Sequence, residues 1–324
     1  MSEQFRGKIL VIRGGAIGDF ILTLPAIAAL RRQFPKAYLE LLGYPHIAQL
    51  AMSGGLVDKV QSIEAGALSG FFAKNGILKE HLADYFSEFD LILSYLYDPD
   101  GIFKANVARC SAAQIIEGPH RARDSEKIHA AKVYLQPLER LAIFDADPVP
   151  RLSLARKSCA PSAAADCPSK ALLALHPGSG SDQKNWPEAK WAELLEAIIN
   201  STAFDLLIVG GEAEGARLQR LAAALPPRRI RVAQSLPLPE LASLLERASI
   251  FIGHDSGISH LAAALGLPGL LLWSETLEEV WRPPSGRMLT LRDPGGLAAL
   301  PVERVLTALR ELALATGIRH SDPR

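Results

Sequence analysis

An aspartate closes the glycine-rich segment Arg13-Gly14-Gly15-Ala16-Ile17-Gly18-Asp19. A glycine turn between a strand and a helix offers backbone N–H groups and a positive helix end to phosphate. A carboxylate placed there would repel a diphosphate across a short distance, so Asp19 suggests a site for something uncharged. The plainer alternative is a helix cap. The dinucleotide fingerprint G-x-G-x-x-G also fails here. Gly15 and Gly18 fit its second and third glycines, but Arg13 occupies the first, where a side chain obstructs the tight turn.

Three further polar turns carry the opposite chemistry. In His176-Pro177-Gly178-Ser179-Gly180-Ser181-Asp182-Gln183-Lys184-Asn185-Trp186-Pro187, small residues allow close backbone approach to phosphate oxygens. Ser hydroxyls there can donate, and Lys184 adds a compact positive charge. No G-x-x-x-x-G-K-[ST] pattern is present, so this is not a Walker loop. In Gly210-Gly211-Glu212-Ala213-Glu214 a carboxylate just past a strand can accept both hydroxyls of a ribose. Glu212 is preferred, because Glu214 falls in the first helical turn. In Gly253-His254-Asp255-Ser256-Gly257-Ile258-Ser259-His260, Asp255 or Ser256 can cap a helix whose free N–H groups then face a diphosphate. His260 lies one turn beyond Ser256, on the same face. The aromatics Trp273 and Trp281 further on suit either a stacked base or core packing.

The elements needed to hold these turns are legible as apolar runs. Strand-like stretches at Lys8 to Ile12, Tyr38 to Leu42, Leu91 to Tyr95 and Gln114 to Ile116 alternate with helix-like ones such as Phe20 to Arg32. This is the pattern of a parallel sheet. A second alternation has strands at Ala171 to His176, Phe204 to Val209, Ile250 to Gly253 and Gly269 to Trp273. Its helices are expected at Pro187 to Asn200, Glu214 to Leu225, Pro239 to Ala248 and Ser256 to Leu265. The expected class is therefore α/β with two Rossmann-like domains, 1–155 and 171–324, joined by the Ser-, Ala- and Pro-rich linker 156–170. Open sheets bind ligands outside the carboxyl ends of their strands, so the expected site is a cleft between the two domains. The final helix, Pro301 to Thr316, suits either domain, the N-terminal one included.

Composition narrows the partners. Of 324 residues, 35 are basic and 35 acidic, so no global field favours nucleic acid. Three cysteines lack metal spacing and fit a reducing cytosol. No leader or membrane span is expected: the apolar stretch Leu261 to Trp273 is interrupted by Gly266, Pro268 and Gly269 and falls short of about 20 residues. A soluble cytoplasmic protein follows. The run His120, Arg121, Arg123, Lys127, His129 and Lys132 suits acidic sugars or lipid phosphates at a membrane surface, or is a solvated helix face. Asp98-Pro99-Asp100 reads as a turn rather than a metal-binding Asp-x-Asp.

Taken together these passages resemble the glycosyltransferase family 9 heptosyltransferases of lipopolysaccharide inner-core synthesis. The resemblance rests on Ile12-Arg13 through Asp19 with Thr23-Leu24-Pro25-Ala26, on His176 to Ser179 with Lys184 to Pro187, on Gly211-Glu212, and on Asp255 to His260. It implies a GT-B fold and inverting transfer of a sugar, typically heptose from ADP-heptose, to a glycan or lipid-linked acceptor, without cofactor or metal. It implies Asp19 as general base, and Ser179, Gly180, Lys184, Glu212, Asp255, Ser256, Gly257 and His260 as donor-binding residues. Arg121, Arg123 and His129 are the acceptor candidates. The chain departs from the family pattern at Ser94 to Gly101 and at Ser274-Glu275-Thr276, which bears on the identity of both sugars. The rivals are a sugar-nucleotide-binding protein without catalysis and a nicotinamide-dependent oxidoreductase.

Overall fold

The computed structural model describes residues 5–64, 66–154, 171–181, 184–212 and 214–318. The chain falls into two compact units, Met1–Ala155 and Arg156–Arg324; the expected linker 156–170 lies outside the described residues. In the first unit the elements run β1 (Lys8–Arg13), α1 (Ile17–Gln33), β2 (Tyr38–Gly43), α2 (Pro45–Ser53) and β3 (Lys59–Ser62), then α3 (Glu80–Ser87), β4 (Leu91–Ser94), α4 (Ile102–Ala108), β5 (Gln114–Glu117) and α5 (Ala130–Leu135). The second unit begins with β6 (Leu172–His176), α6 (Glu188–Ser201), β7 (Asp205–Gly210), α7 (Gly215–Ala223), β8 (Ile230–Gln234) and α8 (Leu238–Leu245). It continues with β9 (Ile250–His254), α9 (Gly257–Ala264), β10 (Gly269–Leu272), α10 (Glu278–Trp281), β11 (Met288–Leu291) and α11 (Val302–Ala315).

Each unit holds one sheet, ordered β3-β2-β1-β4-β5 in the first and β11-β10-β9-β6-β7-β8 in the second. Every pairing is parallel. Central strands covered on both faces must be apolar throughout, which is why β1 (KILVIR) and β9 (IFIGH) are buried almost end to end. The strands absent from the sequence reading, β3, β8 and β11, all lie at sheet edges and are largely half-buried or exposed. Strand order reverses between β1 and β4, and again between β6 and β9. Such switch points open a crevice at the carboxyl ends of the central strands.

The last helix packs into the core of the second unit. Val302, Val305 and Leu309 of α11 join the core formed with Trp186, Trp191, Leu195 and Ile198. The carbonyl of Leu300 accepts hydrogen bonds from Trp186 Nε1 at 3.1 Å and Lys190 Nζ at 2.7 Å, tying the start of α11 to α6. Among the described residues, no helix is long and apolar enough to cross a membrane.

Two buried histidines fasten the second unit's switch point. His254 Nε2 accepts the Trp186 backbone N–H at 2.9 Å, so its Nδ1 carries the proton and donates to the Gly178 carbonyl at 3.2 Å. One neutral ring thus staples both arms of the 177–186 loop onto β9. His176 Nδ1 lies 3.2 Å from Ser256 Oγ, linking β6 to the start of α9. Burial holds both rings neutral, pushing His254 down to about 3 and His176 down to about 4. A group whose pKa is depressed by folding stabilises the fold above its unfolded pKa, and that contribution is lost as pH falls. Stability should therefore decline from about pH 6.5 toward 4, by up to about 1.4 kcal/mol per histidine per pH unit. Urea titrations between pH 7.5 and 4.5 would measure this, with a shallower slope expected for His254→Gln. Equal slopes would show that His254 is not the titrating group.

Candidate active site

In the first unit the site is assembled at the carboxyl end of β1. Arg13 ends this strand with its side chain 2% exposed, so the charge must be met from within the protein. Its Nη1 donates to the His120 carbonyl at 2.7 Å and its Nη2 to the Asp19 carbonyl at 3.2 Å. The guanidinium lies 4.5 Å from the centre of the Tyr134 ring and 5.7 Å from that of Tyr95, within cation–π range. Asp19 sits in the first turn of α1, whose N-cap is Ala16. Thr23 Oγ1 also donates to the Asp19 carbonyl, at 2.8 Å. The capping alternative for Asp19 does not hold. Its carboxylate is 25% exposed, with Oδ1 accepting the Tyr134 hydroxyl at 2.9 Å and lying 3.8 Å from Arg13 Nη2. Gly15 has φ +99°, and a Cβ there would lie 3.9 Å from Asp19 Oδ2.

The sequence reading treated Arg13 only as an obstacle to a glycine turn. The structure makes it the anchor of the Asp19 cluster, and adds Tyr95 and Tyr134. Tyr95 Oη donates to the Tyr134 carbonyl at 2.6 Å, so β4 helps to seat α5. Burial raises the Tyr134 phenol to about 12, which keeps it protonated and able to donate. The one sequence signal was a basic residue directly after the apolar run Ile9 to Ile12.

In the second unit, Ser179, Gly180, Lys184, Glu212, Asp255, Ser256, Gly257 and His260 all lie at or beyond the carboxyl ends of β6, β7 and β9. They do not converge on one point through their side chains. Lys184 Nζ pairs with Asp255 Oδ2 at 2.6 Å, with Asp255 9% exposed and Lys184 37% exposed. Ser179 Oγ instead turns back to donate to the Ser181 carbonyl at 2.8 Å. Gly180 adopts φ +76° with open space where a Cβ would sit. Ser256 caps α9, its Oγ accepting the Ser259 N–H at 3.3 Å. Gly257 opens that helix, and His260 is buried with its N–H on the Ser256 carbonyl.

Glu214 does more than favour a helix dipole. Its Oε2 accepts the Gly211 N–H at 2.9 Å. A Cβ on Gly178 would fall 2.5 Å from the Glu214 side chain, so the loops after β6 and β7 touch at a glycine. Glu212 is exposed on the same turn. The basic run does not form one helix face. Arg121 and Arg123 are exposed, Arg123 lies 3.6 Å from Glu126, and His129 caps α5 by accepting the Ala131 N–H at 3.2 Å. Asp98 accepts the N–H groups of Phe103 at 3.1 Å and Lys104 at 3.0 Å, so it caps α4. No cluster of three metal-ligating side chains occurs among the described residues. Trp273 is buried and donates to the Thr276 carbonyl at 2.7 Å. It forms one wall of a cavity of about 870 Å³ that Ser274, Arg292, Asp293 and Arg304 also line, beyond β10 and β11.

Comparison with known proteins agrees with this arrangement. Residues 119–294 match the family described as glycosyltransferase family 9 (heptosyltransferase). Lipopolysaccharide heptosyltransferase 3 of Escherichia coli is 24% identical over 297 residues, covering 84% of this chain and 85% of that one. The structure of E. coli ADP-heptose lps heptosyltransferase II superposes with a TM-score of 0.76 at 17% identity, over 96% of this chain and 99% of that one. E. coli heptosyltransferase WaaC with ADP-2-deoxy-2-fluoro heptose superposes with a TM-score of 0.68 at 18% identity, over 94% and 99% of the two chains. The α/β class with two parallel sheets is the GT-B architecture of those heptosyltransferases, and the chain belongs to glycosyltransferase family 9.

Proposed function

We propose that the protein transfers a heptose from ADP-heptose to a lipopolysaccharide-core acceptor, with inversion at the anomeric carbon. The observation that carries this reading is the Asp19 carboxylate, partly exposed and braced on one oxygen by Tyr134 beside a glycine turn that leaves the other oxygen room. In the proposed step the acceptor oxygen bonds to the anomeric carbon while its proton passes to Asp19. The bond from that carbon to the diphosphate breaks, and its electron pair leaves with ADP. General-base catalysis of this kind contributes on the order of 10²–10⁴ in rate.

Charge gathers on the departing diphosphate. Lys184 and the N–H groups at the start of α9 are the groups suited to meet it, and on this reading no metal is required. Lys184 would exchange its pairing with Asp255 for the phosphate oxygens. Asp255 would then accept sugar hydroxyls, while Glu212 accepts those of the ribose. That E. coli heptosyltransferase WaaC has been solved with ADP-2-deoxy-2-fluoro heptose supports the donor class. Arg121, Arg123 and His129 are proposed to meet an anionic, lipid-linked acceptor presented at the cytoplasmic face of the inner membrane.

Three outcomes are expected. Asp19→Asn should lower kcat at least about 100-fold while leaving the thermal shift produced by ADP-heptose unchanged; near-normal ADP release would remove Asp19 as base. Lys184→Ala should lower kcat/KM for the donor on the order of 100-fold, read from initial rates at fixed acceptor. Raising salt should increase the acceptor KM, and the double substitution Arg121→Ala with Arg123→Ala should flatten that dependence. A KM that is independent of salt in the parent enzyme would reject the basic patch as the acceptor site.

A further inference from the structure

Tyr134 is fully buried, yet its hydroxyl reaches the partly exposed carboxylate of Asp19, 115 residues away in the chain. The ring alone accounts for the packing. It covers the Arg13 guanidinium at 4.5 Å and meets Tyr95 edge-on at 6.0 Å, and a phenylalanine would do both. What the hydroxyl adds is its bond to Asp19 Oδ1, on the side of the carboxylate nearest Arg13. We infer that Tyr134 is a positioning residue for the transfer: it holds Asp19 by Oδ1 and thereby presents Oδ2, beside Gly15, as the oxygen that takes the acceptor's proton.

This inference rests on the reading of Asp19 as base. The phenol does not itself exchange a proton in the step, because burial holds it far less acidic than a carboxylic acid. It donates to the ionised carboxylate before transfer, and to the same oxygen of the neutral acid afterwards. Tyr134 therefore fixes the direction of Asp19 before and after the transfer. The contact of Arg13 with the His120 carbonyl anchors the chain leading to α5.

Freed of its brace in a Tyr134→Phe enzyme, Asp19 should be less well aimed, so kcat falls roughly tenfold while the donor KM changes little. The readout is ADP release from ADP-heptose with deacylated lipopolysaccharide core as acceptor, alongside melting curves. In an Asp19→Asn background, Tyr134→Phe should cost less than about twofold, because a group acting through Asp19 has nothing left to act on.

An unchanged kcat in Tyr134→Phe would overturn the inference while leaving Asp19 as base. So would an equal loss in the parent and Asp19→Asn backgrounds, which would mark a merely structural hydroxyl. Full activity of Asp19→Asn itself would overturn the reading of the base, and this inference with it.

Discussion

A buried guanidinium governs the first unit. Taking a charge out of water costs several kcal/mol even after relaxation, and Arg13 directly follows the buried apolar run Ile9 to Ile12. Two backbone carbonyls, two aromatic faces and one carboxylate offset that cost. Each offsetting contact also places something useful. The carbonyl of Asp19 fixes the first turn of α1, that of His120 fixes the approach to α5, and the ring of Tyr134 brings a hydroxyl to the carboxylate. The geometry around Asp19 is thus a by-product of satisfying one charge.

The second unit solves the corresponding problem without a buried cation. Its switch point is held by imidazoles that burial keeps neutral, by a serine cap and by glycines that permit close approach. Positive charge comes from Lys184, paired with Asp255, and from Arg217, whose Nη1 donates to the Pro177 carbonyl at 3.2 Å. Neutral fasteners leave the local field to these two side chains and the helix start, groups suited to an anionic ligand. A protonated His254 would lose its ability to accept the Trp186 N–H, and the loop would lose one of its two anchors.

The central strands were legible because burial on both faces forces an unbroken apolar run. Edge strands carry no such demand. Lys59–Ser62 reads KVQS and Ile230–Gln234 reads IRVAQ, and neither has a run or a strict alternation to mark it. The turns beyond β1, β6, β7 and β9 were legible too, since glycine and polar residues interrupt apolar runs there. What could not be read was which side chains meet. Tyr134 gives no local sign of facing Asp19 across 115 residues, and Glu214 looked like an ordinary first-turn acid until Gly178 was seen against it. The basic run at 120–132 is not one helix face: a 3₁₀ turn and the left-handed Lys127 divide it before α5 begins.

The register of the central strands has a kinetic corollary. β1 pairs β4 through Ile9 and Leu91, and β6 pairs β9 through Leu173 and Ile250, whereas each strand's other neighbour follows it sooner in the chain. Such distant pairings must overcome loop-closure entropy before they yield any contact, which slows them relative to local ones. The crevices at the switch points exist only once these last seams have zipped. A chain emerging from synthesis can thus build most of each sheet's first half before either crevice exists, so neither crevice can guide the folding that creates it.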